Sequence, residues 1–226
     1  SLAENLKVDP RQITLGNGSE EIMTMLAWIF ASPSYEIITS QQEYVTYKLI
    51  ANKVGATPIL VQTKNLGYDL NAMVKSITKR TRLIFIANPR NPTGTRINTK
   101  DLKEFLDAVP SSILVVLDEA YFEYVNEPDH PNGITLLNNY SNLIVTRTFS
   151  KIYGLASLRV GYSVSSFEIT DLLSRFKMPF NVNKLALVAA TIAMQDSSKH
   201  IEQSLKVNNE GKKQLEDAFN NMSIRY

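Results

Sequence analysis

The chain has 226 residues, of which 44% are hydrophobic and 20% are charged, a composition typical of a soluble globular protein with a substantial core. Its formal net charge of +2 is too small to indicate nucleic acid or an anionic membrane surface as a partner. The sequence has no cysteine, which excludes disulfides, thiol nucleophiles and thiolate metal sites. Its two histidines, His130 and His200, are far apart along the chain, so we expect no metal site.

Targeting signals are missing from the sequence. No apolar run approaches the roughly 20 residues of a membrane helix, and the N-terminal SLAENLKVDP lacks the pattern of a signal peptide. We therefore expect a cytoplasmic protein.

Seven short apolar runs rich in β-branched residues are predicted to be strands, at 13–16, 35–40, 57–62, 82–87, 113–118, 143–148 and 158–165. Segments of helical period separate most of them and follow the last one, at 19–31, 44–55, 70–77, 99–108, 134–139, 166–176, 184–196 and 198–220. This alternation predicts an α/β fold, with a mostly parallel seven-stranded sheet between two helical layers. The closing MSIRY reads as the start of another strand, so we expect the protein to continue beyond residue 226.

Ligands of such sheets bind at the carboxyl ends of the strands, which directs attention to the residues after each run. The first strand is followed by GNGSEE and a helix. In one interpretation Ser19 caps the helix, while Glu20 and Glu21 complement its dipole. In the other, free N–H groups approached over glycine bind a phosphate.

The fourth and fifth strands also end in polar segments. Two prolines make NPRNPTG, after residue 87, a rigid loop that is either a plain turn or a device to present Asn91 to a ligand. Asp118 ends a strongly apolar strand, where a carboxylate needs a cationic partner or hydrogen bonds. It either caps the next turn or accepts a protonated ring nitrogen or another cation.

Lys151 and Tyr44 are ambiguous when each is taken alone. Lys151 follows the sixth strand beside aromatic residues and a glycine, which suits either an ordinary surface charge or an amine nucleophile. Tyr44 follows the second strand and is either packing material or a flat face for an aromatic ligand.

Four segments in register resolve much of this ambiguity: LGNGSEEI, ANPRNPTG, LDEAYFEY and RTFSKIYGLASLRVGY, with KMPFNVN at 177–183 as a fifth. Together they resemble the fold-type I pyridoxal-phosphate enzymes of class I/II and, within them, the histidinol-phosphate aminotransferases. The resemblance covers essentially the whole chain. It implies the cofactor pyridoxal 5'-phosphate.

The resemblance implies roles for five residues around the ring of the cofactor. Lys151 would bond covalently to its aldehyde, and Asp118 would pair with its protonated pyridine nitrogen. Tyr121 and Asn91 would contact its phenolic oxygen, and Tyr44 would stack on the ring. Since the ring acts as an electron sink, the freed amine of Lys151 would then move the substrate proton as general base and acid.

Five further residues would hold the phosphate of the cofactor. The resemblance places it on backbone N–H groups around Ser19 and Glu20, with Arg159 as its cation. Arginine suits a bidentate phosphate contact better than lysine does. Thr148 and Ser150 are both placed to supply a hydroxyl, and the pattern does not choose between them.

The implied activity is transamination of histidinol phosphate with 2-oxoglutarate, in histidine biosynthesis, by a homodimer. Two alternatives stay open: another fold-type I enzyme, such as an aromatic aminotransferase or a threonine-phosphate decarboxylase, or an inactive cofactor-binding fragment. Residues 1–200 would form the cofactor-binding large domain, and 201–226 a helix that leads toward a small domain. The family's N-terminal arm and small domain have no counterpart in this sequence.

The sequence departs from the family pattern at three places. Glu20 stands where the family usually has aspartate, a conservative change if backbone N–H groups bind the phosphate. Gln42 and Glu43 stand before Tyr44, where the family often has Pro-Thr. Arg90, between the two Asn-Pro pairs, is commonly asparagine.

Overall fold

The computed structural model describes residues 1–195 and 197–226. Within them the chain forms eight α-helices: α1 (Leu2–Leu6), α2 (Ser19–Phe30), α3 (Val45–Lys53), α4 (Leu70–Lys75), α5 (Thr99–Ala108), α6 (Phe167–Phe176), α7 (Lys184–Gln195) and α8 (Ser197–Asn221). The same residues contain nine strands: β1 (Ile13–Gly16), β2 (Glu36–Ser40), β3 (Thr57–Val61), β4 (Thr63–Lys64), β5 (Gly67–Tyr68), β6 (Thr81–Ala87), β7 (Leu114–Asp118), β8 (Leu143–Thr148) and β9 (Gly161–Val164).

Seven of these strands form one sheet in the order β1-β9-β8-β7-β6-β2-β3, and β4 and β5 form a separate hairpin. Only β9 runs antiparallel to its neighbours β1 and β8 in this sheet; the other pairs are parallel. This confirms the predicted α/β fold with a mostly parallel seven-stranded sheet. Because β9 is reversed, its first residue lies at the same sheet edge as the carboxyl ends of the other strands, with Gly161 opposite both Gly16 and Thr148.

The central strands are buried on both faces, as their continuous apolar sequences predict. In β6, Phe85 packs into a core with residues of α2, α3 and α6, while Ile84 and Ile86 pack into a core with residues of α4, α5 and α7. All three side chains are fully buried. Two cores on opposite faces of one sheet give the three layers.

Several element boundaries differ from the prediction. The strand expected from residue 158 begins at Gly161, because Ala156–Leu158 form a 3₁₀ helix and Arg159 has a left-handed backbone, φ 54°. The expected helix at 134–139 is a 3₁₀ helix, Gly133–Leu136. The closing residues 222–226 are not a strand, since a strand needs a neighbouring strand to bond with and they pair with none among the described residues. The last predicted residue of helix 184–196 lies outside the described residues.

The surface near α7 carries large apolar side chains, which we call the α7 patch. Its members are more than a third exposed, and Phe180 is almost entirely so: Met178, Phe180, Leu185, Val188 and Ile192.

Among the helices of the described residues, none combines the length and apolar character that crossing a membrane requires.

Candidate functional site

A cleft opens at the sheet edge where β1, β7 and β8 end and β9 begins. All ten residues selected from the sequence line it: Ser19, Glu20, Tyr44, Asn91, Asp118, Tyr121, Thr148, Ser150, Lys151 and Arg159. Four more residues, which sequence reasoning did not select, complete the lining: Met23, Tyr47, Ala87 and Ala120.

One end of the cleft is built to attract an anion. Gly18, not Ser19, is the N-cap of α2, and no side chain caps the first turn among the described residues. Gly18 has φ 80°, and a Cβ there would collide with the guanidinium of Arg159. A Cβ on Gly161 would lie 2.5 Å from the amide nitrogen of Ser19. Glycine thus lets an arginine and a helix N-terminus approach closely, which favours bound anions.

The backbone of Arg159 holds its side chain toward this anion site. Left-handed backbone is uncommon for residues other than glycine and often marks functional positions. The Arg159 Nη1 donates to Ser150 Oγ at 3.3 Å and to the carbonyl of Ala156 at 3.1 Å. The amide of Ser150 donates in turn to Thr148 Oγ1 at 3.1 Å. Ser150 therefore contacts the guanidinium directly, and Thr148 is linked to it through the amide of Ser150. The sequence alone did not choose between these two hydroxyls.

Asp118 lies at the floor of the cleft, and its carboxylate is held by two hydroxyls. Tyr47 Oη donates to Oδ2 at 2.8 Å, and Thr146 Oγ1 donates to Oδ1 at 3.0 Å. Burial raises the pKa of Asp118, while the two hydroxyls and, more weakly, the charge of Lys151 act to lower it. A desolvated carboxylate that is already oriented suits a cationic ligand atom.

Lys151 lines the same cleft together with three tyrosines. The Lys151 Nζ is 5.2 Å from the ring centroid of Tyr121, and the Tyr121 hydroxyl accepts a hydrogen bond of 3.4 Å from Asn91 Nδ2. The rings of Tyr44 and Tyr47 meet edge to face with centroids 5.6 Å apart. The spacing of three residues at the start of α3 could have drawn attention to Tyr47, because such residues share a helix face.

Glu43 is a second buried acid, located behind the cleft wall. Its side chain is only 3% exposed and faces Arg90, with 3.4 Å between Arg90 Nε and Oε2. The net pKa of Glu43 is raised to about 7, mainly because burial penalises its charged form. Tyr68 and Arg90 act to lower this pKa, and the charge of Asp118 acts to raise it further. Neither carboxylate oxygen meets hydrogen-bond geometry with any described residue, although Tyr68 lies next to the carboxyl.

The raised pKa of Glu43 predicts a pH-dependent stability difference between the wild type and Glu43→Gln. The folded carboxyl binds its proton more tightly than the unfolded one, whose pKa is near 4.5, so this contribution is full below 4.5 and is lost as pH rises through 7. We expect the free energy of unfolding of the wild type to fall relative to the variant by about 3 kcal/mol between pH 5 and pH 8. Urea unfolding at several pH values measures it, and parallel curves would contradict it.

The sheet topology, the arginine-flanked helix N-terminus and the lysine that lines the same cleft as a buried aspartate are the features expected of an aminotransferase. The chain belongs to the aminotransferase class I and II family, whose sequence model matches residues 2–224.

The names of its relatives are narrower than that of the family. It is 48% identical over 226 residues to histidinol-phosphate aminotransferase 1 of Nitrosococcus oceani, and 46% identical over 225 residues to histidinol-phosphate aminotransferase 2 of Pseudomonas fluorescens. Both alignments cover 100% of this chain but only 61% and 60% of those relatives. Histidinol-phosphate aminotransferase from Sinorhizobium meliloti, solved in complex with pyridoxal-5'-phosphate, has the same fold with a TM-score of 0.87 and 28% identity, over 92% of this chain and 57% of that one.

Proposed function

We propose that this chain is the cofactor-binding part of a pyridoxal-phosphate-dependent aminotransferase that exchanges an amino group between histidinol phosphate and 2-oxoglutarate. The observation that carries the proposal is the convergence of the ten selected side chains on one cleft. The names of the two sequence relatives favour this substrate. Residues 1–200 would form the cofactor domain, and 201–226 would lead toward a small domain of the whole enzyme.

The residues of the cleft fit pyridoxal phosphate at both ends. A helix N-terminus without a side-chain cap and Arg159 suit its phosphate, since a Cβ at Gly18 would occupy the space that the guanidinium uses. The buried carboxylate of Asp118 suits a protonated ring nitrogen. Lys151 lines the space between these ends and would hold the aldehyde carbon through its amine. When bound, the cofactor supplies an electron sink for the carbon skeleton of the substrate.

The other residues orient the cofactor and move the proton. Tyr121 and Asn91, already hydrogen-bonded to each other, would meet the phenolic oxygen, and Tyr44 would cover the ring. Asp118 would keep the ring nitrogen charged, with its carboxylate fixed by neighbouring hydroxyls. Once an amino donor displaces it, the Lys151 Nζ would accept the proton from the substrate Cα as general base. It would then donate this proton, as general acid, to the carbon that was the aldehyde carbon of the cofactor.

A half-reaction tests the proposal. The 226-residue chain is loaded with pyridoxal phosphate and mixed separately with histidinol phosphate, phenylalanine and threonine phosphate, and the products are identified by mass spectrometry. The proposal predicts the ketone of histidinol phosphate, formed faster than any product of the other two donors. Preference for phenylalanine, or carbon dioxide from threonine phosphate, would favour one of the alternative activities. Bound cofactor without any product would support the inactive fragment.

We also propose that the whole enzyme is a homodimer and functions in the cytoplasm. The α7 patch supports the dimer, because monomers rarely expose clustered large apolar side chains. Analytical ultracentrifugation of the wild type and Phe180→Asp tests it. We expect the substitution to weaken self-association; a wild type that stays monomeric at high concentration would contradict the proposal.

The glycine at the start of α2 gives a further prediction. Gly18→Ala introduces a Cβ at φ 80° that collides with Arg159, so we expect the affinity for pyridoxal phosphate to fall at least about tenfold. Gly55→Ala is the matched control, because Gly55 has φ 73° but follows α3 away from the cleft. Gly55→Ala should lower the stability of the protein without lowering its affinity for pyridoxal phosphate. Equal affinities of the two variants, measured by equilibrium dialysis, would refute this role of Gly18.

A further inference from the structure

Two departures from the family pattern, Glu43 and Arg90, contact each other behind the cleft. Their side chains are 3% and 0% exposed and approach to 3.4 Å. Glu43 directly precedes Tyr44, and Arg90 directly precedes Asn91, so the pair joins two loops that each carry a residue of the cleft wall. Either departure alone would suggest that the residue beside it, Tyr44 or Asn91, is less firmly held. Because the two side chains contact each other, each instead provides a partner for the other.

The guanidinium of Arg90 also fastens the loop between β2 and α3 through its backbone. Its Nη2 donates to Ser40 Oγ at 3.1 Å and to the carbonyls of Gln41 and Gln42, the second at 3.3 Å. Its Nη1 donates across to the carbonyl of Leu66 in the β4–β5 hairpin at 3.0 Å. A planar fork of donors can serve these acceptors together, which a lysine ammonium cannot reproduce.

The hairpin extends the connection to the floor of the cleft. The guanidinium of Arg90 lies over the ring of Tyr68, 4.7 Å from its centroid. The hydroxyl of Tyr68 accepts a hydrogen bond of 2.7 Å from the amide of Ala87, which lines the cleft. In its ionised form, Glu43 supplies the counter-charge of a buried guanidinium whose other partners among the described residues are neutral.

We propose that Arg90 and Glu43 are positioning residues that hold Tyr44 and Asn91 in place for the ring of the cofactor. This inference rests on the proposed function. The loop before Tyr44 is ordered by the guanidinium before any ligand binds, so less conformational entropy is lost on binding. The contribution is specific to the ring end of the cofactor, because the phosphate end is built from α2 and the residues around β9.

The test compares Arg90→Lys and Glu43→Gln with a matched variant, Glu36→Gln. Glu36 is also buried and bound to an arginine, Arg80, but it lies at the opposite end of β2 from the cleft. For each 226-residue protein, dissociation constants of pyridoxal phosphate and of inorganic phosphate are measured by calorimetry, and stability by urea unfolding.

We expect both site variants to lower the affinity for pyridoxal phosphate by about tenfold or more. The affinity for inorganic phosphate should stay within about twofold of the wild-type value. Glu36→Gln should lose stability and keep both affinities. If the site variants bind pyridoxal phosphate as tightly as the wild type, the pair is purely structural and the inference is overturned. A parallel loss of phosphate affinity would overturn the specific role at the ring. A wild type that binds no pyridoxal phosphate would instead refute the proposed function itself.

Discussion

Lys151→Ala should abolish the covalent capture of pyridoxal phosphate. Borohydride treatment of the wild type with the cofactor should add a stable pyridoxyl phosphate group, found by mass spectrometry on the peptide that contains Lys151. The variant keeps the anion site and Asp118, so it should still bind the cofactor, but more weakly and without an adduct. We expect transamination to fall by at least about 10³-fold, since the same amine would be both attachment point and proton carrier.

The matched control is Lys103→Ala, which removes an exposed lysine from α5, away from the cleft. It should trap the cofactor as the wild type does. An adduct of equal yield on Lys151→Ala, or one that maps to another lysine of the wild type, would show that Lys151 has been assigned the wrong role.

Asp118→Asn should separate function from stability. The asparagine retains the size of the side chain and can still bond to the hydroxyls of Tyr47 and Thr146, but it carries no charge for the ring nitrogen. We expect transamination to fall by about 10²- to 10³-fold, the usual effect of losing one preorganised electrostatic contact. The unfolding free energy of the cofactor-free protein should be unchanged or higher, because burial already disfavours the charged form of Asp118.

Glu119→Gln gives the contrasting result, one residue further along the chain. Glu119 is also buried, but its Oε2 pairs with the buried Arg147 at 2.7 Å and it does not line the cleft. This variant should lose about 3 kcal/mol of stability, because it leaves a guanidinium buried without its counter-charge. The cofactor affinity should change little. If Asp118→Asn instead unfolds like Glu119→Gln while its remaining folded fraction is active, Asp118 is a structural residue.

The sheet follows from where apolar runs stop in the sequence, and parallel strands bring the residues after those runs, such as Asp118 and Lys151, to one edge. That position indicates where a ligand would bind, but Lys151 is ambiguous on its own, and the roles of the ten cleft residues follow only from the resemblance of their motifs to a family. The start of β9 was misplaced because Leu158 and Val160 continue an apolar pattern across Arg159. Neither apolar pattern nor spacing reveals that the backbone of Arg159 turns left-handed there.

Contacts between distant segments were beyond the sequence. The hydrogen bond from Tyr47 to Asp118 joins residues 71 positions apart. Glu43 contacts Arg90 although several strands and helices lie between them along the chain. A single sequence shows each of these residues only with its chain neighbours. Their partners depend on the register of β2, β6 and β7, which periodicity does not determine.

The pairing of β1 with β9 also has a consequence during protein synthesis. Residue 16 lies opposite residue 161, so the start of α2 reaches its place beside Arg159 only after the chain has been synthesised beyond residue 161. Such long-range closure is entropically slow. A ligand that binds across this junction stabilises only the closed sheet. Without such a ligand, the first strand is expected to open more often and to be exposed to proteases and aggregation.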